Sequence, residues 1–570
     1  MKSKHLPNKF FDREKLSSDL TAGLTTALVT IPDGMASAIL AGVSPVHGLY
    51  ALMVGTPVAS LTTSAQLMYV ANTGALAVAV GSALSGVTPE GQAAALVMLC
   101  VLVGAIQLTF GLLKLGGILR FISNAVLTGF MSGIALIIIL GQLGEFAGFH
   151  SHYSNKVMQA VDLVLHLNQV NWQALVVGLA AFALIIVLGR TRLARFNMVL
   201  AMVGALLLVQ AFGWNQVALV ANVAQIPSSF PRPALPDLRL IPGLIAPALA
   251  VALIGLVQSA GVSKSVPNPD GRYSRVSRDF SGQGIANLVS GLFRGMPIGG
   301  TMSETSINIS AGARSRWAGV FSGLFIIAIV LVFRPIVERF PMPAIAALLI
   351  VAGYEALDFE EILDVWDIGI GPRLIMLITF VATLALPVQY AVLTGVVLSA
   401  LQYLYNASLN IQLVQIMIQA DNSLEEHPAP ERLPSDEITT LRYYGSSFFA
   451  SMDTLERNLP HIGNARRPVV VLNLRGRASI GSTFVRVLER YNQRLHAAQG
   501  KLMLAGVHPQ VMAQLEITET TDDIPVEDIF LATPRIGAST EAALAAAREW
   551  LDQASEKHAQ AAVGNETEEG

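Results

Sequence analysis

Charge is scarce in this chain. Of its 570 residues, 14% are Asp, Glu, Lys or Arg, against about a quarter in an ordinary soluble domain. With 53% hydrophobic residues and a mean hydropathy of +0.55, most of the chain must have lipid as its solvent. Basic residues are not in excess either, and a net charge of −3 gives no footing for nucleic-acid binding. Cysteine is almost missing. The single one, Cys100, lies inside an apolar run, which excludes an intrachain disulfide and a cysteine-built metal centre. Ten histidines fall without ligand spacing, and no nucleophile–base set or phosphate-cradling glycine motif is present. No enzyme activity, cofactor or metal is therefore expected. Residues 1–15 are polar and basic and run into a long apolar region without a small-residue cleavage site, so the first span is expected to be retained.

What is abundant is apolar sequence in long runs. A helix crosses the hydrocarbon core with roughly 20 residues. Runs of that kind cover residues 92–113, 117–141, 172–188, 197–212, 242–262, 317–333 and 374–401, the last long enough for two helices broken near Pro387. Other stretches are short or interrupted. Residues 20–43 are split by Pro32-Asp33-Gly34, and 48–61 is brief. Residues 69–84 open with polar Asn72 and Thr73, and 301–313 open with Thr301, Ser303 and Glu304. Counting the short elements gives about 14 spans. Lysine and arginine gather before Leu16, at Lys114 and Arg120, at 190–195, at 264–278 and at 314–316, whereas 85–91 has none and 145–171 only Lys156. The positive-inside rule places the N-terminus and the basic loops in the cytoplasm. The acidic loop 354–373 is placed by alternation alone.

Near Asn410 the character changes. Residues 419–436 are polar, with Pro428, Pro430 and Pro434, and 409–436 reads as a linker. Beyond them the pattern is soluble α/β: strands at 437–443, 469–474 and 501–505, a helix at 482–497 and an Ala-rich helix at 540–559. The expected domains are a cytoplasmic N-terminal segment (1–18), a transmembrane domain (19–408), a linker (409–436), an α/β domain (437–559) and a disordered tail (560–570).

The two short, polar-headed segments point to the chemistry. Irregular backbone at membrane depth is tolerated only where protein buries it or it lines a cavity, and paired interrupted segments mark the central site of a transporter. Each segment would offer free N–H groups, with Asn72 and Thr73 in one and Thr301 and Ser303 in the other. A helix N-terminus carries about half a positive charge, which suits an anion. The bland alternative is that small residues here only permit close helix packing.

Several stretches resemble the sulfate permease (SulP) family of anion transporters: Pro45-Val-His-Gly-Leu-Tyr50, the run from Gly111 to Phe130, and Gly295-Met-Pro-Ile-Gly-Gly-Thr-Met-Ser-Glu-Thr-Ser-Ile-Asn308 followed by Ala311-Gly-Ala-Arg314. The region with Phe448-Phe-Ala450, residues 469–474 and Leu504-Ala-Gly-Val507 is similar to that family's C-terminal STAS domain. The resemblance implies a seven-plus-seven inverted repeat, a mobile core moving against a gate domain, and a homodimer. It implies an anion site between the third- and tenth-helix N-termini. Matched residue by residue, the third-helix side is Tyr69, Val70, Asn72 and Thr73, and the tenth-helix side is Thr301, Met302 and Ser303. Gln258 falls in the eighth helix, at a position that is often acidic in cation-driven relatives.

The departures are as informative. Glu304 stands where many relatives have arginine, and Asp33 places an acid at the first-helix break. Intramembrane acids are costly and are functional candidates by default, so both are candidates for coupling to a proton or sodium. The bland readings are a capping role for Asp33 and an ion pair of Glu304 with Arg314 or Arg294. Ser482 and Thr483 occupy a loop-to-helix position that is phosphorylatable in anti-sigma antagonists, but Gly481 replaces the acidic neighbour and helix capping by Ser482 explains the serine. The expected protein is an alternating-access transporter of sulfate, bicarbonate, chloride or a dicarboxylate in a bacterial-type inner membrane. Both termini would be cytoplasmic, and the STAS-like domain would be free to dock a cytoplasmic protein partner. Competing readings are a permease for nucleobase-like or weakly acidic solutes on the same fold, and a membrane receptor that transports nothing.

Overall fold

The computed structural model describes residues 13–117, 123–153, 155–223, 226, 229–409, 411–419, 424–445 and 449–566. Residues 1–12 of the N-terminal segment, 118–122 of the quoted run, Phe448 and residues 567–570 of the tail lie outside them. The chain divides into two compact units, one up to Ala400 and the other from Leu401.

The first unit is helical. Its elements are α1 (Arg13–Leu40), α2 (Pro45–Tyr50), α3 (Thr56–Thr62), β1 (Tyr69–Ala71), α4 (Gly74–Leu84), α5 (Gln92–Leu112), α6 (Asn124–Ala147), α7 (Lys156–Leu165), α8 (Trp172–Gly189) and α9 (Asn197–Phe212). After these come α10 (Ile241–Ser265), α11 (Val276–Leu292), β2 (Gly299–Thr301), α12 (Met302–Ser310), α13 (Trp317–Val332), α14 (Met342–Glu355), α15 (Phe359–Ile368), α16 (Ile370–Ala385) and α17 (Val388–Leu409). Among the described residues, seven helices are long and apolar enough to cross a membrane, and four further apolar helices have 10–17 residues. The expected break near Pro387 falls between α16 and α17.

Two expectations change here. Asp33 is not at a helix break, because α1 runs through Pro32 to Leu40. Proline removes one backbone donor, and membrane helices tolerate this where side chains compensate. The hydroxyls just before it bond back within α1, Thr26 Oγ1 donating to the Ala22 carbonyl (2.8 Å) and Thr30 Oγ1 to the Thr26 carbonyl (3.0 Å). The apolar runs also omitted α11, a well-formed helix with a buried polar stripe of Asp279, Gln283 and Asn287.

The second unit is a six-stranded sheet with helices. Its strands are β3 (Ile411–Ile418), β4 (Leu424–Pro428), β5 (Ile438–Gly445), β6 (Val469–Asn473), β7 (Lys501–Val507) and β8 (Ile529–Leu531), in the order β4-β3-β5-β6-β7-β8. Strands β5 to β8 pair in parallel, and β3 is antiparallel to both neighbours. Residues 411–418 and 424–428 are therefore part of the sheet rather than of a linker. The charged, exposed residues of β4 gave the stretch a polar look, as suits an edge strand. Helices α18 (Met452–Asn458), α19 (Ser482–Ala497), α20 (Pro509–Ile517) and α21 (Ala538–Glu566) complete the unit. Helix α21 extends through residues 560–566, where disorder was expected. Gly481 is the N-cap of α19 and Ser482 its exposed first residue, so Ser482 does not cap it.

Candidate functional site

The site is built by two very short strands. Gly299 and Gly300 carry no side chain, so β2 can lie close against β1 with Tyr69 opposite Thr301, Val70 opposite Gly300 and Ala71 opposite Gly299, antiparallel. Each strand leads directly into a short helix, β1 into α4 and β2 into α12. The antiparallel crossing brings both helix starts to the wall of one cavity of about 360 Å³.

Buried polar side chains hold this crossing in place. Asn287 accepts from the Ile298 N–H (2.8 Å) and donates to the Ile298 carbonyl (3.0 Å) and to Gln107 Oε1 (2.8 Å). Gln283 donates to the same carbonyl (2.9 Å), while Ser259 Oγ accepts from the Gly300 N–H (2.9 Å). At the far end Asp279, fully buried, accepts from the Ser64 and Ala65 N–H groups (2.6 and 3.0 Å) and from Ser263 Oγ (2.8 Å). These positioning residues were not singled out from the sequence. The available signal was the four-residue spacing of Asp279, Gln283 and Asn287 along one helix face.

Of the ten residues expected at the site, eight line the cavity: Asp33, Asn72, Thr73, Gln258, Thr301, Met302, Ser303 and Glu304. Thr73 caps α4 by accepting from the Leu76 N–H (3.1 Å) and donates to Gln258 Oε1 (3.1 Å), which ties α4 to α10. Thr301 precedes α12 but supplies no side-chain cap, so the first N–H groups of α12 are left without one. Tyr69 and Val70 are fully buried and line no part of the cavity. Tyr69 hydrogen-bonds Ser322 (2.6 Å) and Thr30 (3.4 Å) through its hydroxyl, and its N–H donates to Thr305 Oγ1 (2.9 Å). Val70 accepts from Thr56 Oγ1 (2.7 Å). Both anchor the strand. The rest of the wall was not foreseen, because apolar residues such as Met131, Ile134, Val262 and Leu349 read in sequence as ordinary span residues.

Glu304 sits in the first turn of α12 and makes no ion pair with Arg294 or Arg314. It lines the same cavity as Asp33. Among the described residues, no lysine, arginine or histidine lines the cavity.

An integral membrane unit with a central, strand-crossed cavity is thus joined in one chain to a soluble α/β unit. The sequence matches the Sulfate permease family over residues 16–379 and the STAS domain over residues 429–533. The chain belongs to the sulfate permease family, a family of transporters and not of enzymes, and its C-terminal unit is a STAS domain. It is 26% identical over 529 residues to the protein YvdB of Bacillus subtilis (strain 168), covering 92% of this chain and 97% of YvdB. Its fold is similar to that of the murine Solute Carrier 26 family member A9 anion transporter in the inward-facing state (TM-score 0.80, 17% identity, 96% of each chain). It is also similar to the transmembrane domain of the cyanobacterial bicarbonate transporter BicA (TM-score 0.57, 21% identity, 68% of this chain and 98% of that one).

Proposed function

We propose that this protein carries small inorganic or carboxylic anions, of the sulfate, bicarbonate, chloride or dicarboxylate class, by alternating access. One observation carries the reading: the β1–β2 crossing sets the starts of α4 and α12 on one cavity wall. Each start contributes about half a positive charge, and in a low-dielectric cavity such fixed dipoles act strongly on a negative solute. Thr73, Thr301 and Ser303 replace part of its water shell, Met302 and the apolar wall limit its size, and Gln258 holds Thr73 in place. Asn72, Asp33 and Glu304 stand beside the anion rather than around it.

The same reading assigns about 14 spans in a seven-plus-seven inverted repeat, counting the two strand–helix segments as one span each. Both termini are cytoplasmic, the membrane is a bacterial inner membrane, and the working form is a homodimer. The cavity wall includes Gly261, Val262 and Ser265 at the end of α10, next to the basic loop that the positive-inside rule puts in the cytoplasm. An inward-facing cavity is the result. The STAS domain serves as a docking or regulatory surface for a cytoplasmic protein.

The test is uptake of labelled bicarbonate, chloride, sulfate and succinate into proteoliposomes holding the full chain. Saturable uptake of at least one, with a raised KM in Ser303→Ala, is the expected result. Stabilisation of the protein by uracil-like solutes and by none of these anions would favour the weakly acidic solute reading, which Glu304 at the cavity keeps in play. No uptake of any solute would favour the receptor.

A further inference from the structure

Three pairs of apolar side chains are left half-buried inside the helical unit. Leu127 and Met131 on α6, Leu253 and Val257 on α10, and Val392 and Val396 on α17 each stand four residues apart, so each pair lies on one face of its helix. The three faces meet around a narrow groove. Its one polar residue, Gln258, is engaged by the Thr73 hydroxyl (3.1 Å), and the groove presents no polar surface.

The groove separates two closely built groups of helices. Helix α10 packs on α4, α5, α11 and β2, and Gln107 Nε2 of α5 donates to its Ala252 carbonyl (3.2 Å). Helix α6 packs on α14 and α16, and a Cβ added at Gly129 would lie 2.3 Å from the Met376 carbonyl oxygen. Helix α17 meets α6 where Gly395 lies against Val126, and a Cβ there would be 2.4 Å from Val126 Cγ1. Small residues let membrane helices approach in this way. Among the described residues, no comparable packing joins α10 to α6 or α17.

An unfilled gap forfeits the dispersion contacts of its lining, and water entering this one would find no polar partner. The groove is also open to lipid. Ile245 and Leu249 of α10, both exposed, lead along one stripe to Leu253, and exposed Leu393 and Val397 adjoin Val392 and Val396 on α17. Lipid tails are as apolar as leucine, and they are the hydrocarbon at hand.

We propose that one acyl chain of a membrane phospholipid inserts into this groove and wedges α10 apart from α6 and α17. Groove and anion cavity share two wall residues, Met131 and Gln258. Through Gln258 and Thr73 the acyl chain sits next to the side chains that fix the start of α4. In alternating access the α10 group has to move past the α6 group, and the wedge favours the arrangement seen here over its alternative. Lipid supply thereby sets the transport rate. The acyl-chain site stands on the groove alone, and its effect on transport rests on the anion-carrier reading.

Two measurements on the full chain in liposomes separate these claims. The first includes a phosphatidylcholine with a photoreactive diazirine in one acyl chain, and maps the adducts by peptide mass spectrometry after irradiation. Adducts are expected at Met131, Leu253 or Val257 in at least the yield found at exposed Leu207 and Leu324, which report ordinary lipid contact. Leu127→Phe and Val396→Phe, which fill the groove with a ring, should lose most groove adducts and keep those at Leu207 and Leu324. Adducts confined to exposed residues, or undiminished groove adducts in both variants, would overturn the site. The second is uptake of labelled bicarbonate, chloride, sulfate and succinate. The filled variants should show a lower maximal rate at unchanged KM, because the anion contacts are untouched. Wild-type rates in both variants despite lost adducts would overturn the wedge. No uptake by the wild type would fell the anion reading, while groove adducts would still uphold the acyl-chain site.

Discussion

At the residue scale, the proposed anion site depends on side chains that line no part of its cavity. Asn287 is fully buried and uses both ends of its amide to hold Ile298 just ahead of β2. Asn287→Ala orphans the Ile298 N–H and removes the donor to Gln107 Oε1. Each buried group left unsatisfied costs about 1–3 kcal/mol, so we expect a loss of about 2 kcal/mol or more, read as a lower Tm in detergent together with impaired uptake. Steric room is equally strict where α1 meets α2. A Cβ added at Gly48 would lie 1.9 Å from the Gly34 carbonyl oxygen, well inside the 3.0 Å that real Cβ atoms keep. Gly48→Ala must push the two backbones apart and strip Asn72 of both carbonyl partners. It is expected to abolish uptake while the protein still reaches the membrane, which a transport assay normalised to surface protein would show. Normal uptake by this variant would mean that the contact between α1 and α2 is not needed.

At the scale of elements, the working parts are two strand–helix segments and what starts their helices. Thr73 fixes one start by capping α4 and by bonding Gln258 on α10. Thr73→Val keeps the shape but loses both bonds, at about 1 kcal/mol for the cap alone. Thr73→Ser keeps them. The expected result is a KM raised about three- to tenfold for valine and near wild type for serine, measured as initial uptake rates; equal values for both would remove the hydroxyl from the site. These segments were legible in sequence because polar residues headed stretches too short to span a bilayer, an expensive arrangement unless something uses it. Other elements were hidden for physical reasons. Helix α11 buries polar side chains against its neighbours rather than facing lipid, so it does not read as a span. The Pro32-Asp33-Gly34 sequence mimics a break, yet α1 continues through it to Leu40. Strand β4 is an exposed edge, and its charges look like those of a linker. That Asp33 and Glu304 share one cavity could not be read at all, since 271 positions of chain separate them and only the fold brings them together.

At the scale of the molecule, two units with separate cores share one chain. The principal core of the first unit and that of the sheet have no residue in common, so a perturbation buried in one should be felt there first. Asp528 gives a test with a definite sign. It is 3% exposed in the second unit, its Oδ1 is paired with Lys501 Nζ at 2.8 Å, and its Oδ2 has no partner. Burial pushes its carboxyl above the usual 3.8, and the Lys501 ammonium only partly offsets this. A carboxyl raised in the folded state binds its proton more tightly there than in the unfolded chain. Its contribution to stability is therefore complete below the usual value and is lost as pH rises through the raised one. Glu456, held below the usual 4.5 by hydrogen bonds from Arg490, works in the opposite sense and only at lower pH. As pH rises from the usual 3.8 through the raised value, the wild-type sheet should thus lose protection relative to Asp528→Asn, with the other carboxylates common to both proteins. Amide hydrogen exchange across β7 and β8, compared between the two proteins at each pH, reads this directly. The expected outcome is a difference that grows toward neutral pH in those strands and is absent from α4 and α12. A difference of the same size in the helices of the cavity would mean that the two units unfold as one.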